Sequence, residues 1–135
     1  MESVRQTDEE LLYDPAMRER VRRAMRCAGE LLLALGMPPH TKGFRLLQWG
    51  MVLLCEQPPT QRVRICDTLY PLLEEFAGTK VSAEHAIRET IRIRAQRAKP
   101  PLFRQLFPGD RVPSNAEFLY TAGAYLRKQL REQDS

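Results

Sequence analysis

Residues 72–97 read LLEEFAGTKVSAEHAIRETIRIRAQR. Leu72, Leu73 and Phe76 share one side of a short helix that Pro71 opens, proline being pre-set for a first helical position. Gly78-Thr79 makes a tight break. Ala83, Ala86, Ile87, Ile91 and Ala95 then recur at the helical period and form an inner face, leaving Glu84, His85, Arg88 and Arg92 outside. The spacing predicts helices over 72–77 and about 80–98. A short bracing helix, a glycine turn and a longer helix with a basic outer face follow the grammar of a helix-turn-helix, whose second helix offers its N-terminal half to the major groove.

The rest of the chain is also helical by pattern, and no segment alternates apolar and polar residues as a half-buried strand does. Residues 1–13 are polar and acidic. Asp14-Pro15 is an N-cap followed by proline at the first helical position. Met17, Val21, Ala24, Met25, Ala28, Leu31, Leu32 and Leu35 carry the first helix to Gly36, with Met37-Pro38-Pro39 preventing its continuation. A second helix from His40–Lys42 to about Glu56 has a polar face only at Arg45 and Gln48, so it is the helix expected to be most buried. Pro58-Pro59 ends it, and Thr60 opens a third helix to about Leu69. Beyond Pro100-Pro101, residues 102–107 predict one more turn. Ser114 and Glu117 form a capping box for the last helix, whose stripe is Phe118, Leu119, Ala122, Tyr125 and Leu126. The fold expected is all-α, about six helices built around a helix-turn-helix.

At 135 residues the chain is the size of one domain, and 43% hydrophobic content suffices for one core. The longest apolar runs, 31–35 and 51–55, are far short of the ~20 residues a membrane span needs. No secretory signal pattern opens the sequence, so a cytoplasmic location and no membrane partner are expected. Cys27, Cys55 and Cys66 form no CxxC pair and read as reduced core cysteines. His40 has no second ligand at metal spacing, and the glycines form no phosphate-cradling loop. Neither metal, cofactor nor catalytic constellation is expected, so the chain reads as a non-enzyme. Trp49 is expected in the core.

Charge separates residues 80–104 from the rest. They hold seven basic residues (Lys80, Arg88, Arg92, Arg94, Arg97, Lys99, Arg104) against Glu84 and Glu89, a net +5, while the whole chain is +4. Arginine donates two hydrogen bonds to guanine O6 and N7, and glutamate accepts from cytosine N4. Glu84, His85 and Arg88 are therefore the candidate base-contacting residues. Lys80, Arg92, Arg94, Arg97 and Lys99 are the candidate DNA backbone contacts.

Four motifs now carry a resemblance. Residues 35–44, LGMPPHTKGF, look like the G-V-P-A-H-I-K-G-Y lead-in to a second helix. Leu69-Tyr70-Pro71 matches the L-Y-P before a bracing helix. Glu84-His85-Ala86-Ile87-Arg88 matches E-R-A-I-R in a recognition helix, and Pro113-Ser114-Asn115-Ala116-Glu117-Phe118 matches P-T-N-S-E-F before a last helix. In this order they resemble the C-terminal DNA-binding effector domain of the stage-zero sporulation protein A family, the sporulation response regulators of endospore-forming bacteria. The resemblance runs from about residue 22 to 130. It implies an all-helical transcription-factor domain on double-stranded DNA, with a homodimer on tandem sites and RNA polymerase as further partners.

The departures shape the expectation. Only about 21 residues precede the resemblance, too few for the family's receiver domain. Residues 1–21 are therefore expected to be a polar leader or linker remnant, and 22–131 the DNA-binding domain, either excised or stand-alone. His85 replaces a base-contacting arginine of the family, and a shorter, mostly neutral histidine weakens or changes readout there. Glu74-Glu75 fall where the family has two lysines. Those changes motivate an alternative: a non-catalytic interaction protein that has lost DNA binding and pairs with a related regulator.

Overall fold

The computed structural model describes residues 15–55 and 79–134. Five helices run through them: α1 (Pro15–Ala34), α2 (Lys42–Cys55), α3 (Lys80–Ala95), α4 (Pro101–Leu106) and α5 (Asn115–Asp134). The described residues contain no strand, and the all-α class follows. The expected helices over 60–69 and 72–77, with Cys66 and Glu74-Glu75, lie outside the described residues.

α2 is the centre of the packing and touches α1, α3 and α5. Eight of its fourteen residues are buried, against five of twenty in α1 and in α5, as its nearly unbroken apolar composition requires. Trp49 is only half-buried and packs at the core's edge rather than inside it. Cys27 and Cys55 are buried in the core. No helix among the described residues is long and apolar enough to cross a membrane.

The ends of the helices follow local chemistry. α1 stops where Gly36 adopts a left-handed φ of 80°, and the Met37 N–H donates to Leu32 O at 3.0 Å. This closes the helix through the conformation glycine adopts without a Cβ penalty. α1 is continuous from Pro15, so residues 15–21 belong to this helix, and the leader boundary expected at residue 21 falls inside it. α5 opens with the capping box: the Glu117 N–H donates to Ser114 Oγ at 3.1 Å and the Ser114 N–H to Glu117 Oε1 at 3.4 Å. Phe107 stacks on Phe118 with centroids 5.1 Å apart and meets the tilted ring of Phe103 at 5.0 Å, which joins α4 to α5.

α3 is fixed to this scaffold at three points. Gly43 of α2 lies so close to α3 that a Cβ there would come within 2.3 Å of Ala86 O and 2.0 Å of Thr90 Oγ1. The buried Thr90 hydroxyl donates to Thr41 Oγ1 at 3.1 Å, and Thr41 donates to Pro38 O at 2.9 Å. Thr41 Oγ1 also accepts the Phe44 N–H at 3.2 Å and so caps the start of α2. At the other side, Asn115 Nδ2 of α5 donates to Glu84 O at 3.1 Å.

Candidate nucleic-acid interface

Thr79 caps the start of α3: its Oγ1 accepts the Ser82 N–H at 3.0 Å, satisfying one of the free donors of the first turn. Ala83, Ile87 and Ile91 are buried against the core, while His85, Arg88, Glu89 and Arg92 are exposed. The spacing-derived division into an inner and an outer face is therefore present. Lys80 is the first residue of the helix.

The outer face is balanced in charge. Arg88 pairs with Glu84 one turn earlier, and Arg92 grips Glu89 through two hydrogen bonds, Nε to Oε2 at 3.0 Å and Nη2 to Oε1 at 2.5 Å. That grip holds the Glu89 carboxyl below the usual carboxylate range and raises the Arg92 guanidinium. Exposed intrahelical pairs of this kind are weak, so both arginines can exchange their partner for a ligand. The excess positive charge of residues 80–104 lies elsewhere, with Lys80 at the start of α3 and with Arg94, Arg97, Lys99 and Arg104 at or beyond its last turn. Arg97 is exposed; Lys99 donates from Nζ to Gly109 O at 3.1 Å.

Arg94 corrects the expected set of backbone contacts. It is 3% exposed and points inward, on the same face as Ala83 and Ile87. Nη1 donates to Gly36 O at 3.4 Å, and Nη2 to Arg97 O at 3.0 Å and Ala98 O at 2.5 Å. The guanidinium lies 5.5 Å from the Phe103 ring centroid, a cation–π distance. Burial lowers its pKa, and the Arg97 charge adds to the shift, although an arginine stays charged. Its Nε is buried without a partner. Arg94 thus joins the end of α1, the turn after α3 and α4, away from the exposed face of the helix.

The same residue accounts for the early end of α3. The helix stops at Ala95 rather than Ala98, where the Gln96 and Arg97 N–H groups switch to Ile93 O and Arg94 O at 3.2 Å each. The carbonyls of residues 97 and 98 then turn back onto the Arg94 guanidinium.

A family model matches residues 28–126: sporulation initiation factor Spo0A C terminal. The chain belongs to this family. The match spans α2, α3 and α4 entirely, the C-terminal third of α1 and the larger part of α5, so both faces of α3 belong to it. Neither a curated protein nor a solved structure matches the chain.

Two features of the site escaped the sequence reading. The Thr79 cap has a visible signal, a threonine three residues before a serine at a helix start. The Thr41–Thr90 hydrogen bond joins residues far apart in sequence and has no local signal.

Proposed function

We propose that this chain is a sequence-specific regulator of transcription that binds double-stranded DNA through α3, in the process its family is named for, the initiation of sporulation. The observation that carries this reading is the outward face of α3, where His85 and the exchangeable Arg88 and Arg92 stand exposed on a helix fixed from behind. α3 would enter the major groove. Arg88 leaves Glu84 for guanine O6 and N7, and the released Glu84 carboxylate accepts from a cytosine N4 amine. His85 contacts the adjacent base. Lys80, Arg92, Arg97 and Lys99 hold phosphates and set the register, Lys99 exchanging Gly109 O for a phosphate oxygen. Arg94 acts through the fold alone. The domain is the expected 22–131 unit extended by the start of α1, without catalysis; homodimer formation on tandem sites and contact with RNA polymerase belong to the same reading.

Salt dependence tests it. Fluorescence anisotropy with a labelled duplex carrying the family-type box should give an association constant that falls with salt. Four neutralised phosphates give a log–log slope of about −3 to −4. Absence of binding at low salt would overturn the reading and favour a partner-binding protein instead.

A further inference from the structure

Val81 stands 64% exposed in the first turn of α3. It is apolar and β-branched, a poor choice for an exposed helix position. It takes no part in the core cluster or in the partly buried shell around it. Helical spacing puts it on the same face as His85, Arg88 and Arg92, one turn nearer the N-terminus. Its setting is defined, because the Thr79 cap holds the first turn through Ser82 on the adjacent position. The outer face of α3 therefore carries one apolar group among polar ones, at the end where a recognition helix meets base edges.

The apolar feature that a base pair displays in the major groove is the C5-methyl group of thymine. We propose that Val81 is a specificity-determining residue that packs against a thymine methyl, one helical turn ahead of the base pairs met by Glu84 and His85. This rests on the DNA-binding reading above. The contact involves neither charge nor hydrogen bond. It adds specificity through removal of apolar surface from water, and that part of the preference does not fall with salt.

The test starts with selection of bound duplexes from a random pool by the full chain and by Val81→Ala, a change at an exposed helix position that leaves the fold in place. Each thymine of the wild-type consensus is then replaced singly by deoxyuridine, which lacks only the methyl group. One replacement should weaken wild-type binding about fourfold, the weight of one buried methyl group, and leave Val81→Ala binding unchanged. A consensus in which no single replacement separates the two proteins overturns the role of Val81 and leaves the DNA reading standing. A pool in which the wild-type chain enriches no sequence overturns both.

Discussion

Arg88 and Arg94 sit on the same helix and are put to opposite uses. Arg88 is exposed and held by one carboxylate that it can release. Arg94 is enclosed, bound to three backbone carbonyls and set against Phe103. The difference is one of helical phase. Arg94 follows Ile87 by seven residues and Ala83 by eleven, so it repeats the inner face; Arg88 follows Glu84 by four and repeats the outer one. A count of basic residues in a segment therefore overstates the charge a ligand meets. The surface of α3 offers balanced pairs, with excess charge at its ends.

The comparison breaks most readily at Arg94. Arg94→Ala removes the donor to Gly36 O, Arg97 O and Ala98 O and empties space beside Phe103. A loss of about 2–4 kcal/mol is expected, read as a lower urea midpoint with unchanged m-value. A midpoint within error of wild type would show that the inner arginine holds nothing. Gly43→Ala should cost about 1–3 kcal/mol, because the new Cβ meets the Ala86 carbonyl of α3 and not only a movable side chain. DNA affinity should fall with it, since α3 must shift. On the outer face, Arg92→Ala should weaken specific and scrambled duplexes alike and reduce the salt slope by about 1. A loss confined to one sequence would instead make Arg92 a base reader.

The smallest effect is expected at the capping box of α5. Burial pushes the Glu117 carboxyl up, but hydrogen bonds from the Ser114 N–H, Arg111 and the Ser114 hydroxyl outweigh it and hold the pKa below its ordinary value. A carboxylate depressed in the folded state contributes stability above the unfolded pKa of about 4.3 and loses it as pH falls through the folded value. Glu117→Gln should therefore lower the urea midpoint slightly at pH 7 and flatten its decline below about pH 4. A decline as steep as wild type's would place the acid sensitivity elsewhere.

Much of this was legible in local chemistry. Gly36 with its following prolines, and Ser114 with Glu117, each mark an end through the satisfaction of free backbone groups, which depends on near neighbours alone; the expected Asp14 cap lies outside the described residues. The outer face of α3 was legible by period. Arg94 was legible by period too, but its residue type suggested solvent, and only the carbonyls gathered from residues 36, 97 and 98 make its burial tolerable. That convergence is tertiary, as are the close approach of Gly43 to α3 and the Thr41–Thr90 hydrogen bond. The early end of α3 follows from the same convergence, since nothing in residues 95–98 is itself a helix stop.

The most direct measurement of the central claim compares a family-type box with a scrambled duplex, each bound by the wild-type chain and by Arg88→Ala at one fixed salt, with thermal melting of both proteins alongside. The expected result is a preference of tenfold or more (~1.4 kcal/mol) for the box by the wild-type chain. Arg88→Ala should lose most of that preference, the ~1–3 kcal/mol of one arginine-to-guanine contact, while its melting temperature stays unchanged. Equal affinity of the wild-type chain for both duplexes, or an undiminished preference in Arg88→Ala, would contradict the account.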